Sequence, residues 1–330
     1  MKKTLSRWLL DIWYKDPFIG VFLMPLGFLF SDFVKFRKFL YRIGLLKQHT
    51  LPVPVIVIGN ITVGGTGKTP LLIWLAKLLK SEGFKPGIIS RGYKGQAEAW
   101  PQWVDADSTA EQVGDEAVLI AKQTGCPMAV SPLRADAAKL VLEKSDCNVI
   151  LSDDGLQHYA LNRDIEIAVI DGERRFGNSY CLPAGPLREP IERLQSVDFI
   201  VVNGEKSEDN EFSMQLSGNI AINMLSGEEK PLQELTASNC HALAGIGNPE
   251  RFFKLLESVG LSCKTHSFPD HYKFQSSDIS FPNADLVLMT EKDAVKCITF
   301  AGNQHWYVPV TAVPETGFAD KLLDLLSKKQ

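Results

Sequence analysis

Gly64-Gly65-Thr66-Gly67-Lys68-Thr69 follows an apolar, β-branched run from Val53 to Ile58 and opens into Leu71-Leu72-Ile73-Trp74-Leu75-Ala76-Lys77-Leu78-Leu79. Strand, glycine-rich turn, Gly-Lys-Thr and helix together form a phosphate cradle. Glycines let backbone N–H groups curl around phosphate oxygens, and the helix start adds partial positive charge. Lys68 is expected to reach the β- and γ-phosphates, and the Thr69 hydroxyl to ligate Mg²⁺. The strict pattern places glycine five positions before Gly67, where Thr62 stands. The left-handed backbone of the turn therefore falls to Gly64 or Gly65.

Outward from this turn, strands and helices alternate. Strands are expected at Val53 to Ile58, Pro86 to Ser90, Met128 to Ser131, Asn148 to Ser152, Glu166 to Asp171 and Phe199 to Val202. Helices are expected at Pro70 to Ser81, Asp115 to Thr124 and Arg134 to Lys144, with Lys94 to Gln112 as loop. This order predicts an α/β fold: a P-loop NTPase-like, mostly parallel sheet with helices on both faces. The acidic stretch Gly204 to Glu211 reads as a linker or exposed loop. A second, smaller α/β unit follows, with strands at Cys240 to Ala244, Cys263 to Ser267, Asp285 to Met289 and Trp306 to Val308. Helices at Pro249 to Val259 and Asp320 to Leu326 complete it. The expected domains are 1–47, a basic apolar segment; 48–203, the P-loop unit; and 204–330, a second unit completing a cleft.

The 330 residues suffice for two domains, and the net charge of −4 argues against nucleic acid as a partner. Six scattered cysteines without a C-x-x-C pair read as reduced, buried thiols rather than a disulfide frame or zinc site. Residues 1–47 carry nine Lys/Arg and three Asp, so this segment is +6 and the remainder −10. Inside it lies the 13-residue apolar run Phe18 to Phe30. A spanning helix needs roughly 20 such residues, and Pro25 and Gly27 should kink this one. Lys2-Lys3 resembles the start of a signal peptide, but no small-residue cleavage site follows. The reading preferred over a core helix or a true span is a helix or hairpin in the membrane interface, with Lys35, Arg37, Lys38 and Arg42 against anionic head groups.

Several polar groups bear chemistry. Val149-Ile150-Leu151-Ser152-Asp153-Asp154-Gly155 is an apolar strand ending in two carboxylates, the place where a P-loop fold holds its Mg²⁺ shell. The ordinary alternative is a solvated Asp-Asp-Gly turn. Gly114-Asp115-Glu116 begins a helix, where acids favour the dipole, yet phosphoryl transfer to a hydroxyl also needs a carboxylate to take the proton. Phe268-Pro269-Asp270-His271-Tyr272 carries a histidine on a stiff turn; if the two units face each other, His271 orients a carboxylate of the first. Arg91 and Arg134, near strand ends, and Arg188, in Leu182-Pro183-Ala184-Gly185-Pro186-Leu187-Arg188-Glu189-Pro190, are positioned to contact phosphate, with structural ion pairing as the alternative.

Together these segments resemble the tetraacyldisaccharide 4′-kinase family of lipid A biosynthesis. The resemblance rests on Val55-Ile56-Val57-Ile58-Gly59-Asn60 with the glycine turn, Ser90-Arg91-Gly92-Tyr93, Gly114-Asp115-Glu116 and Asp153-Asp154-Gly155-Leu156-Gln157-His158. It continues through the Leu182 to Pro190 stretch, Phe268-Pro269-Asp270-His271-Tyr272 and Thr290-Glu291-Lys292-Asp293-Ala294. These run in family order over nearly the whole chain, and Thr62 is usual there. The resemblance implies transfer of the ATP γ-phosphate to the 4′-hydroxyl of a tetraacylated disaccharide 1-phosphate, giving lipid IVA. It implies work at the cytoplasmic face of the Gram-negative inner membrane, with that lipid and the membrane surface as partners and no obligate protein partner. By analogy Asp115 and His271 form the catalytic dyad. Glu116, Asp153, Asp154 and Thr69 serve Mg²⁺, Lys68 holds the phosphates, and Arg91, Arg134, His158 and Arg188 fall on the substrate side. The implied fold is two α/β/α units joined by a hinge, with the site between them.

Two other functions compete. A P-loop GTPase of the metal-chaperone type needs Asn-Lys-x-Asp, whereas Glu291-Lys292-Asp293 sets Lys and Asp side by side. A membrane-docked ATP-binding regulator would need no acceptor chemistry.

Overall fold

The computed structural model describes residues 12–14, 17–105 and 108–329. Lys2, Lys3, Arg7 and Lys15 of the basic segment lie outside them. A nine-stranded sheet in the order β15-β8-β7-β6-β1-β5-β2-β4-β3 forms the larger unit. Its strands are β1 (Val55–Gly59), β2 (Pro86–Ser90), β3 (Gln102–Val104), β4 (Met128–Val130), β5 (Val149–Asp153), β6 (Ile165–Asp171), β7 (Phe199–Asn203), β8 (Glu211–Ser217) and β15 (Thr311–Pro314). All neighbours pair in parallel except the two edges, β3 with β4 and β15 with β8. Successive residues of β1 face opposite layers. Ile56 and Ile58 pack with Leu71, Leu72 and Leu75 of the helix Lys68–Ser81. Val55 and Val57 pack with Ala137, Ala138 and Val141 of the helix Arg134–Lys144. A strand buried on both faces is a continuous apolar run, which is why it was legible.

The smaller sheet runs β10-β9-β14-β13-β11-β12. It comprises β9 (Ile220–Asn223), β10 (Glu229–Pro231), β11 (Cys240–Ala244), β12 (Lys264–Ser267), β13 (Leu286–Thr290) and β14 (His305–Val308). Strands β14, β13, β11 and β12 are mutually parallel, and Phe252, Phe253 and Leu256 of the helix Pro249–Ser258 cover one face.

Four expectations are corrected. The boundary at 203/204 is displaced, because β8, β15 and the terminal helix Phe318–Ser327 belong to the larger unit. Phe318 is fully buried, with its ring 5.7 Å from Trp74, 5.5 Å from Phe199 and 5.2 Å from Phe212. Burying such a side chain is worth about 1.5–3 kcal/mol, so this end of the chain stays with the first core. Within the expected loop Lys94 to Gln112, β3 adds an edge strand and a capping box at Thr109 starts the short helix Ala110–Val113. Cys240 and Cys263 form a disulfide between neighbouring strands, whereas Cys126, Cys147, Cys181 and Cys297 are free and buried as expected. Finally, the N-terminal apolar run is part of one helix, Pro17–Arg42, that continues through Pro25 and Gly27. Gly27 serves packing: a Cβ there would lie 3.0 Å from the Cys181 carbonyl and 3.0 Å from the Ala184 Cβ.

Candidate active site

The carboxyl ends of β1, β2, β5 and β7 meet at one edge of the large sheet, the usual ligand edge of a parallel α/β sheet. There the chain leaves β1, turns through Gly64 (φ 110°) and Gly67 (φ 99°), and enters the helix Lys68–Ser81. Both glycines have left-handed backbone, so the missing glycine at position 62 is replaced as the sequence implied. Gly67 is also tight: a Cβ would lie 2.6 Å from Nδ2 of Asn203, which donates to the Thr66 carbonyl at 3.1 Å. Gly247, after β11 of the small unit, abuts the same turn; its Cβ would lie 2.5 Å from the Gly65 nitrogen. Arg174 Nη2 donates to the Gly247 carbonyl at 2.9 Å, so both units shape the cradle.

At the end of β5, Asp153 is 2 % exposed and accepts from Ser90 Oγ at 3.0 Å. Burial, and the charges of Glu116 and Asp154 beside it, push its carboxyl up to about 7. Asp154, with left-handed φ 45°, turns away from it. Arg188 Nη1 donates to Asp154 at 2.9 Å and Lys68 lies 3.5 Å away. Burial raises the Asp154 carboxyl, but Lys68 and Arg188 outweigh it and hold the group well below the usual carboxylate range. Asp154 thus serves as anchor to Lys68 and Arg188, and Arg188 is held by it. Arg134 is buried and spends its guanidinium on the carbonyls of Asp153 (3.0 Å), Asp154 (3.5 Å) and Ser131 (3.4 Å). These bonds brace the Asp153–Asp154 turn, while Arg134 Nε has no partner among the described residues and the side chain also borders the cavity. Arg91 is exposed on the cavity wall. His158 also lines the cavity; burial and the charges of Arg134, Arg163, Arg37 and Arg91 pull its imidazole down to about 4, so it is neutral near pH 7.

Opposite this edge, Gly114 (φ 93°) begins the helix Asp115–Thr124, which carries Asp115 on its first residue. His271 comes from the turn after β12, with φ 58°. Its Nδ1 lies 3.0 Å from both Asp115 oxygens. The two residues are 156 positions apart in sequence and belong to different units. Burial raises the Asp115 carboxyl, but the His271 hydrogen bond and the charges of Lys292 and Lys296 outweigh it and hold it at about 2. A left-handed histidine is uncommon and costs energy, so its surroundings must fix it. The Tyr93 ring sits edge-on at 5.1 Å. Lys292 Nζ lies 2.9 Å from Glu116 Oε1 and 3.2 Å from Asp270 Oδ1.

Sequence reading gave no role to Asn203, which ends β7, or to Lys292, which falls within the Thr290 to Ala294 stretch. Among the described residues no three metal-ligating side chains stand preassembled. The donors nonetheless fit a divalent cation. Asp153 is a buried carboxylate next to two more acids, and burial together with their charges raises its proton affinity, a setting a hard cation relieves.

The glycine turn, Glu116, Asp153, Asp154, Arg188, His271 and Lys292 border one cavity of about 1380 Å³. Single-ligand pockets are typically ~300–1,000 Å³, so this one has room for a nucleotide and a second reactant. A phosphate cradle that shares one cavity with the imidazole of a carboxylate–imidazole pair defines a P-loop phosphotransferase. Its family follows from comparison: the tetraacyldisaccharide-1-P 4′-kinase family matches residues 19–327, and the chain belongs to that family. A tetraacyldisaccharide 4′-kinase of Nitrosococcus oceani is 52% identical over 323 residues, covering 98% of this chain and 95% of the relative. That of Methylobacillus flagellatus is 47% identical, covering 99% and 98%. The crystal structure of LpxK from Aquifex aeolicus in complex with ATP superposes with a TM-score of 0.80 at 32% identity, over 94% of this chain and 99% of that one. The GTPase alternative falls with this membership. Asp293 is also unavailable to a base: it is fully buried and accepts from Gly245 N at 2.8 Å and Thr290 Oγ1 at 2.6 Å.

Proposed function

We infer that this chain transfers the γ-phosphate of ATP to the 4′-hydroxyl of a tetraacylated glucosamine disaccharide 1-phosphate, giving lipid IVA. The observation that carries this reading is the Asp115–His271 pair at 3.0 Å, whose imidazole lines the same cavity as the glycine turn. Backbone N–H groups of residues 64–69 and Lys68 bind the triphosphate. Glu116, Asp153 and the Thr69 hydroxyl would hold Mg²⁺, with Asp154 anchoring Lys68. When bound, Mg²⁺ supplies charge neutralisation on the phosphate oxygens. Asp115 orients the acceptor hydroxyl and receives its proton late, because a loose phosphoryl transition state asks little of the nucleophile. Arg91 and Arg188 lie beside the substrate's anionic groups. Incubation of the protein with γ-labelled ATP and the disaccharide lipid in detergent should label the lipid; label retained from GTP in preference to ATP would refute the assignment.

The acylated acceptor stays in a bilayer, since each buried CH₂ contributes ~0.8 kcal/mol. Its kinase must therefore work at that surface, here the cytoplasmic face of the inner membrane. Phe22, Leu26, Leu29, Phe33 and Phe36 form an exposed stripe at helical spacing on Pro17–Arg42. This stripe supports seating the helix in the interface; among the described residues no helix is long and apolar enough to cross a membrane. Of the four cations expected to face head groups, two turn inward: Arg37 Nη1 donates to the Gln157 carbonyl at 3.2 Å and Lys38 Nζ to Ser196 Oγ at 3.2 Å. Lys35 and Arg42 are exposed and remain. Replacing Phe22, Leu29 and Phe33 together by Ser is expected to reduce partition onto anionic vesicles at least ~10-fold, since each such side chain is worth about 1.5–3 kcal/mol when buried. ATP binding in detergent should be preserved. Equal loss of both in a co-sedimentation and calorimetry comparison would make the stripe part of the fold's core.

A further inference from the structure

Lys292 occupies the junction of the two units. Thr290 caps the helix Glu291–Cys297 by accepting from Asp293 N, which directs Lys292 into the cavity. Its ammonium meets Glu116 Oε1 at 2.9 Å, Asp270 Oδ1 at 3.2 Å and His271 Nε2 at 3.4 Å. One turn later Lys296 lies 2.8 Å from Asp293 Oδ1 and 3.9 Å from Asp115 Oδ2. A helix of the small unit thus presents two cations, four residues apart, to the adjacent acids Asp115 and Glu116 of the large unit.

The donor inventory then fixes the imidazole. An ionised carboxylate only accepts, so the nitrogen facing Asp115, Nδ1, carries the proton. An ammonium only donates, so the nitrogen facing Lys292, Nε2, presents its lone pair. A ring with these positions exchanged would set two donors against each other at one end and two acceptors at the other. We propose that Lys292 is a positioning residue for phosphoryl transfer: it holds the Nε2 end of the His271 ring whose Nδ1–H faces Asp115 and, through Glu116 and Asp270, joins the His271 turn to the helix start that carries Asp115. The assignment rests on the reading of Asp115 and His271 as the acceptor-activating pair. Lys292 acts through them and not on the transferred group. The left-handed backbone of His271 gives this clamp a physical reason, because such a conformation persists only where neighbours enforce it.

The test uses the full chain with Lys292→Met and Lys292→Arg, and Asp115→Ala in parallel. Nitrogen NMR of imidazole-labelled protein should show His271 protonated at Nδ1 in the parent, with an Nε2 resonance that moves when its ammonium donor is removed in Lys292→Met. Turnover of Lys292→Met should fall about 10–10²-fold, the scale of a misplaced reacting group, with KM for ATP changed less than ~3-fold. Lys292→Arg, which restores the cation, should recover most of that loss. The proposal is overturned if parent His271 carries its proton on Nε2, if Lys292→Met keeps turnover within ~3-fold, or if Met and Arg behave alike. It is equally overturned if turnover, ATP affinity and melting temperature fall together. Should Asp115→Ala itself retain turnover, the dyad reading fails; should Asp115→Ala be inactive and Lys292→Met active, only the role of Lys292 fails.

Discussion

Asp115→Ala is expected to cut turnover by about 10²-fold or more while ATP affinity changes less than ~3-fold, the pattern of an interaction made in the transition state alone. Asp115 sits on the helix opposite the phosphate cradle, buried, with both oxygens on His271 Nδ1. Its removal leaves Lys68, Thr69 and the glycine turn untouched, so nucleotide binding has no reason to weaken. A carboxyl held at about 2 is a weak base in the ground state. What it supplies is orientation and a destination for a proton that leaves late. The pH behaviour follows with a definite sign. The folded value lies below the ordinary 3.8, so ionised Asp115 contributes stability above about pH 4, and that contribution is lost as pH falls through about 2. Asp115→Ala should therefore melt below the parent near neutrality, with the gap closing in strong acid. Near-normal turnover in a single-turnover assay with γ-labelled ATP would remove Asp115 from the mechanism.

The sequence made the large sheet legible because its central strands are buried on both faces and so appear as unbroken Val/Ile/Leu runs. Strand β8 escaped for the opposite reason. Glu211-Phe212-Ser213-Met214-Gln215-Leu216-Ser217 alternates, follows an acidic stretch, and is the last parallel strand, with the antiparallel edge strand β15 on its other side. The terminal helix was found, but not its partner: nothing in Phe318 says that Phe199 and Trp74 await it. The phosphate cradle, Asp153–Asp154 and the Asp115 helix start declare themselves through local spacing. The meeting of Asp115 with His271 does not, since it is made by the approach of two units; family resemblance supplied it, and the 3.0 Å contact gives it geometry. The Cys240–Cys263 bond was invisible because its 23-residue separation carries no motif.

Asp153→Asn is expected to abolish most turnover, about 10²–10³-fold, while making the metal-free protein more stable at pH 8. The two effects share a cause. Asp153 is almost wholly buried at the end of β5, with Glu116 and Asp154 adding negative charge, and its carboxyl is pushed from 3.8 to about 7. A carboxyl whose folded value lies above its unfolded one costs stability as pH rises from about 4 to 7, where the unfolded chain releases the proton and the folded chain resists. Above pH 7 the full cost applies, on the order of 4 kcal/mol for a rise from 3.8 to about 7. Asparagine keeps the shape and can still accept from Ser90 Oγ, but carries no charge to bury. Thermal melts in chelator should therefore coincide for parent and variant near pH 4 and diverge in favour of Asp153→Asn as pH rises to 8. Added Mg²⁺ should raise the parent's melting temperature in the presence of ATP and leave the variant's nearly unchanged, since a cation there offsets the charge that asparagine lacks. Should the parent prove the more stable protein at pH 8 without metal, the three acids would be compensated within the fold itself, and the argument that this corner is built to receive a divalent cation would lose its physical basis.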